Sequence, residues 1–355
     1  MYNRDIANPK ERQGNQMEFA EKLLRAAAII AAVWLMYQLA LIIHESGHLV
    51  MAKLTGYRFV SFRIGPLTLV RERGKLKLRN TGWIKGTGGQ CVMLPPENRP
   101  AETVPVVPYY LGGALFNLLT ALLAVPAGFA AENRYVKAVL ILLGVVSAAQ
   151  ALMNLIPSGL FVLNDGYQIR QIRNSPADRT VVCNSLRISG HSELSFSEMP
   201  EAYFAIPDDT CAYAYIAEML RGQYMLDCGN FQEAEALLVR CCGRKRTDQR
   251  DLYQSEAASW LLLCMLLRGA DADEIGQVYD SNLQQYLELA KQRQIDKRCI
   301  MYAYQLLFCK DADAAKQEYE AMLQLQSDAP AGDVKTQKML TAEVQKRAER
   351  LSAQA

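Results

Sequence analysis

"LIIHESGHLVMAK", residues 41–53, sets two of the chain's three histidines four residues apart within an apolar run. Positions i and i+4 share one face of a helix, one turn apart. Two imidazoles placed in this way, His44 and His48, can hold one metal ion, and His-Glu-x-x-His is the signature of zinc hydrolases. Glu45 follows His44 directly, so it sits beside the metal rather than on it, where it could take a proton from an activated water. Polar groups in a lipid-compatible run are costly and usually functional, which favours metal binding over a packing role.

Outward from this stretch, the chain is nearly all apolar from Leu23 to about Lys53. About 20 such residues suffice to cross a bilayer, so 23–53 reads as one long or tilted span carrying the motif in its last third. Further spans are expected at about 106–131 and 136–163, with "ENRYVK" as a tight turn between them. Residues 1–22 are polar and lack the apolar core and cleavage site of a secretory signal, so this N-terminal segment is expected to be retained. The stretch 56–104 has short alternating apolar segments broken by Gly and Pro, which is strand-and-hairpin chemistry. From Lys53 to Arg99 there are ten Lys or Arg against two acids. In a membrane protein such a loop is a positive-inside signal. It predicts the loop and the C-terminal half in the cytoplasm, and the N-terminus and the 132–137 turn outside. Five basic residues in the first 25 weigh against this, partly balanced by four acids. The nine cysteines form no CxxC pair and read as reduced thiols, in agreement with a cytoplasmic C-terminal half. The net charge of +2 gives no reason to expect a nucleic-acid partner.

Beyond the third span, residues 174–209 read as a linker, loop-like and punctuated by Pro176, Pro200 and Pro207. From 210 to 355 the pattern is helical. "GNFQEAEALL" and "KDADAAKQEYEAML" resemble the second helix of tetratricopeptide-type repeats, although the full repeat signature is absent. An unspecialised helical bundle is the alternative. The expected fold is therefore a mainly α membrane protein: a core of three transmembrane helices with a small β-hairpin region over 23–173, then a soluble, repeat-like α-helical domain.

A catalytic zinc needs a third protein ligand. His191 lies in the polar stretch "SGHSEL" and reads as surface. Asp165, in "MNLIPSGLFVLNDGYQI", follows a long apolar run and ends on the same side as the histidine motif, so the two can meet at similar depth. A carboxylate there could also merely cap the span. Asn164 is the adjacent alternative, a weaker ligand because it is uncharged.

Taken together, these stretches resemble the site-2 protease family of intramembrane zinc metalloproteases. "HESGH" matches its zinc motif. "GGQCVM" resembles its glycine-rich hairpin, and "GALFN" (Gly113–Asn117) resembles its Gly-Pro-x-x-Asn motif with Ala114 in place of proline. "NLIP" with "NDG" resembles its Asn-x-x-Pro and Asp-Gly motif, at Asn154, Pro157, Asp165 and Gly166. The chain departs from the family in the gap between Pro157 and Asp165: seven residues intervene where the family has about four. The resemblance implies a three-span zinc metalloendopeptidase of a bacterial cell membrane, with His44, His48 and Asp165 on zinc and Glu45 as general base. Asn117 and Asn154 would support the site or hold an unwound substrate; joining the spans is their other reading. The backbone around Gly88 and Gly89 would offer an edge to which substrate adds as a strand. Implied substrates are membrane-spanning regulators or signal-peptide remnants, with a cytoplasmic protein partner on the helical domain. Two other readings predict differently: a membrane zinc protease of another class, with a glutamate as third ligand, or a membrane-anchored docking scaffold.

Overall fold

The computed structural model describes residues 9–72, 74–82, 88–158, 164–207, 211–244 and 252–353. Residues 1–8, positions 159–163 of the expected third span and Thr210 lie outside them. The chain is mainly helical, with one small antiparallel sheet.

Helix α1 runs Pro9–Leu54, α2 Val106–Ala130 and α3 Arg134–Leu155. All three are long and apolar enough to cross a membrane. Their outward faces carry large apolar side chains such as Ile30, Trp34, Leu122, Phe129 and Leu152. Exposed apolar surface of this extent marks a face that meets lipid or a partner. Helix α1 begins well before the expected start at residue 23. Ion pairs one turn apart, Lys22 with Glu18 and Arg25 with Glu21, extend it through the polar segment. The nearly all-apolar stretch of α1, from Leu23 to about Lys53, is about 46 Å long, against about 30 Å for a bilayer's hydrocarbon layer. In a membrane it would tilt or project beyond the other two. Asn133 caps α3 by accepting from Tyr135 N and Val136 N.

Helix α3 stops at Leu155, short of the expected 163. The residue before a proline avoids helical backbone, and Ile156 before Pro157 is extended at φ −72°, ψ 115°. Asp165 consequently starts a new helix, α4 (Asp165–Arg173), instead of ending the span.

Between α1 and α2 the hairpin region is a four-stranded sheet: β1 Arg58–Ile64, β2 Leu67–Glu72, β3 Lys75–Asn80 and β4 Gly89–Leu94, in the order β3-β2-β1-β4. All pairings are antiparallel, and β4 is an edge.

The stretch 174–209 is not a bare linker. Ser175 caps a helix, α5 (Pro176–Gly190), by accepting from Asp178 N, and Pro176 stands in its first turn. Proline is tolerated there because that N–H has no helical partner anyway. Arg187 of α5 donates to Pro96 O and Arg99 O, at 2.7 and 2.8 Å, and so fastens α5 to the segment after β4.

The rest is helical: α6 Ala214–Asp227, α7 Phe231–Gly243, α8 Leu252–Arg268, α9 Ala272–Val278, α10 Ser281–Ala290, α11 Ile295–Ala303, α12 Ala312–Leu325 and α13 Ala331–Ser352. A π-helical turn, Tyr304–Cys309, follows α11. The two repeat-like stretches are α7 and α12, and each follows a left-handed turn residue, Gly229 at φ 80° and Lys310 at φ 56°. Gly222 of α6 lets α7 come close, since a Cβ there would lie 2.9 Å from Leu238. This region shares its core with the part that carries the three long apolar helices. One continuous buried cluster joins Tyr57, Met93 and Tyr109 to Tyr213, Leu262 and Leu340. Tyr213 also donates to Gln168 of α4 at 2.9 Å.

Candidate metal centre

The face of α1 carrying His44 and His48 meets α2 where glycines remove the side chains between them. A Cβ on Gly47 would lie 2.2 Å from Gly112 O, and one on Gly112 would lie 2.4 Å from Gly47 O. The helices thus cross in backbone contact. The next residue, Gly113, clears the imidazoles themselves: its Cβ would lie 2.5 Å from His44 Nε2 and 2.6 Å from His48 Nε2.

Asp165 is delivered to this face by its neighbours. Asn164 is the N-cap of α4. Its Oδ1 accepts from Tyr167 N and Ser158 N, both at 3.0 Å, and its Nδ2 donates to Met153 O at 2.9 Å and Ile156 O at 2.7 Å. All four contacts are backbone groups, so Asn164 staples the end of α3 to the start of α4 and does not join the histidines. A Cβ on Gly166 would lie 2.2 Å from Leu155 O, so α4 starts pressed against the end of α3. With that staple in place, the longer gap after Pro157 still brings Asp165 to the histidines.

The three side chains converge. His44 Nε2 lies 3.0 Å from Asp165 Oδ2, His48 Nε2 lies 3.4 Å from the same oxygen, and the two Nε2 atoms are 3.2 Å apart. Donors about 2.0 Å from a tetrahedral zinc stand about 3.3 Å from one another. The triangle has that size, and this group could bind a metal ion. Among the described residues no glutamate completes such a group. The far nitrogens have different polar neighbours. His48 Nδ1 donates to Tyr109 O at 2.8 Å, which turns the ring so that Nε2 faces the centre. His44 Nδ1 lies 3.4 Å from Asn117 Nδ2.

Glu45 is buried beside the group, and the start of β4 lies on its carboxylate. A Cβ on Gly89 would fall 2.7 Å from Glu45 Oε1, while Gly88 faces Leu41. The surroundings are poorly solvated: burial, reinforced by the charge of Glu45, pushes the Cys91 thiol up to about 12. Burial also raises the Asp165 carboxyl, but the charge of His48 and the hydrogen bonds from both histidines outweigh it and hold the group down at about 2.

Of the other residues singled out in the sequence, Asn117 reaches the site and Asn154 does not: its Nδ2 is used on Gln150 O in its own helix, at 3.0 Å. His191 follows α5 and pairs with Glu97 at 2.7 Å, outside the cluster. Three contributors went unnoticed in the sequence as site residues. Tyr109 acts through its backbone carbonyl, which no sequence pattern marks. Gly113 stood inside a quoted motif, but its clearance shows only in three dimensions. Gln150, whose Oε1 accepts from Asn117 Nδ2 at 3.2 Å, is a polar residue in the apolar run of α3, and that is the signal that could have found it.

Comparison of the chain with protein-family models, with curated proteins and with solved structures finds no match.

Proposed function

We propose that the chain is an intramembrane zinc metalloprotease of the site-2 protease type, which cleaves transmembrane segments of membrane-anchored regulators or signal-peptide remnants. The observation that carries this reading is the buried triangle of His44, His48 and Asp165 with the Glu45 carboxylate beside it. Two imidazoles and one carboxylate are a donor set that zinc accepts, and three protein ligands are the number found at catalytic zinc. When bound, zinc would polarise the scissile carbonyl and make a water nucleophilic near neutral pH. Glu45 takes the proton from that water on its carboxylate and passes it to the leaving nitrogen. The Tyr109 carbonyl holds His48 in the tautomer that leaves Nε2 free. A helical substrate keeps its carbonyls in its own backbone bonds, so it must unwind before reaction. Strand β4, an edge that starts at Gly89 over Glu45, is where an unwound segment could add by backbone hydrogen bonds. We place the sheet and the helical region in the cytoplasm, on the ten basic residues between Lys53 and Arg99; a bacterial cell is what the resemblance implies.

The test is Glu45→Gln in the purified full chain, presented with a mixture of single-span peptides and followed by mass spectrometry. Wild type should cut spans, and Glu45→Gln should cut none while retaining its zinc. Equal cleavage by both proteins, or no cleavage by zinc-loaded wild type, would contradict the proposal.

A further inference from the structure

We propose that Tyr109 is a positioning residue that holds strand β4 and the metal ligand His48 in one register; the inference rests on the metal-site reading above. The residue is used at both ends. Its backbone carbonyl accepts from His48 Nδ1 at 2.8 Å, and its phenol donates to Cys91 O of β4. A carbonyl only accepts, so His48 Nδ1 carries its proton there and Nε2 is the nitrogen left for the metal. A single residue of α2 thus spans the gap between the ligand on α1 and the strand.

The carbonyl that Tyr109 takes lies on the outer edge of β4. Gly65 N donates to Gly88 O at 2.8 Å, so Gly88 turns toward β1. Orientation alternates along an antiparallel strand, and Gln90, opposite Arg63, turns the same way. Cys91, opposite Phe62, therefore directs its carbonyl away from β1, along the edge where a substrate segment would add. That point is two residues, or about 7 Å, beyond Gly89, which lies against Glu45. The phenol has little room to swing away. Its ring is buried, stacked on Tyr57 at 5.6 Å between centroids and edge-on to Tyr110 at 5.0 Å. Breaking the bond would leave a buried carbonyl without a donor, which is costly. A segment paired with β4 thus keeps a fixed distance from the metal. Reaction needs that constancy, because a misplacement of about 1 Å can cost about 100-fold in rate. The tie also works in reverse: a metal that fixes His48 steadies Tyr109, and through it β4.

The experiment is amide hydrogen exchange, read by mass spectrometry on the full chain in detergent with and without zinc. In wild type, zinc should slow exchange at residues 91–94 about 5-fold, the factor that one ordinary hydrogen bond is worth, and leave β3 unchanged. Residues 91–94 are the ones to follow, because Gly89 also touches Glu45 and responds through it. Tyr109→Phe keeps the ring and the backbone carbonyl and removes only the phenol oxygen. It should bind zinc as wild type does in equilibrium dialysis, while residues 91–94 exchange at one rate with and without the metal. Tyr57→Phe removes the neighbouring phenol, 3.5 Å from Pro105 O, and should keep the wild-type response. A zinc response retained in Tyr109→Phe, or lost equally in Tyr57→Phe, would overturn the role. So would a wild-type β4 that ignores bound zinc, a result that depends on no variant folding. Failure of wild type to bind zinc at all would instead refute the metal-site reading, and the positioning role with it.

Discussion

Replacing Gly113 by alanine adds one methyl group where the two metal-facing nitrogens converge. The new carbon would stand 2.5 Å from His44 Nε2 and Cε1 and 2.6 Å from His48 Nε2. Unstrained contacts between such atoms lie at about 3.5 Å, so both imidazoles must retreat by about 1 Å or α2 must move away as a whole. Moving α2 is opposed at the adjacent residue, where Gly112 and Gly47 already touch through their backbones. Overpacking of this kind costs about 1–3 kcal/mol, which a helical bundle can survive. The metal centre cannot: ligand distances tolerate about 0.2 Å. Metal affinity should therefore fall by more than about 100-fold, beyond the usual effect of losing a supporting group. The assay is zinc per chain after gel filtration, with circular dichroism to check the helices. Gly276→Ala is the control, because no atom lies within 4 Å of the added carbon. Full zinc at unchanged affinity in Gly113→Ala would refute the geometry.

Lys297 is fully buried, with Nζ 2.6 Å from Glu256, 2.5 Å from Asp296 and 4.7 Å over the ring of Trp260. Lys297→Ala strands two carboxylates and should destabilise the helical region by about 3–5 kcal/mol, visible as a lowered melting temperature; an unchanged melt would contradict the pairing. Among the cysteines, Cys228 and Cys309 are exposed, whereas burial pushes Cys91, Cys211 and Cys299 up to about 12 and Cys183 up to about 11. The thiolate is the reactive form, so raised values keep these thiols protonated and inert from neutral pH to about pH 9, and maleimide should label Cys228 and Cys309 first. In sealed vesicles that labelling should require reagent on the cytoplasmic side; labelling from outside would reverse the proposed topology.

The parts of the site legible in the sequence are those set by local periodicity. His44 and His48 had to share a helical face, and Glu45 had to fall beside them. Asp165 was readable from its place after an apolar run, at the depth of the histidine motif, and from the resemblance, but the Pro157 gap hides how the chain returns. The physical answer is the Asn164 staple, which a sequence shows only as an asparagine beside an aspartate. Helix stops were misjudged in opposite senses at two prolines. Pro157 ended α3 early through its effect on Ile156, while Pro176 opened α5 where a loop was expected. Gln150 and Gly113 depend on which residues face each other across α1, α2 and α3, and helix-to-helix register is not written in any one segment. The core shared by the long apolar helices and the later helical region is of the same kind, built from contacts such as Tyr213 with Gln168 that lie far apart in the chain.

The central claim is that His44, His48 and Asp165 hold one zinc ion. It is tested most directly by metal analysis of the purified chain, comparing wild type with Asp165→Ala and His191→Ala. Wild type and His191→Ala should each carry one zinc per chain, and Asp165→Ala should lose most of it. A full complement of zinc in Asp165→Ala, or none in wild type, would contradict the account.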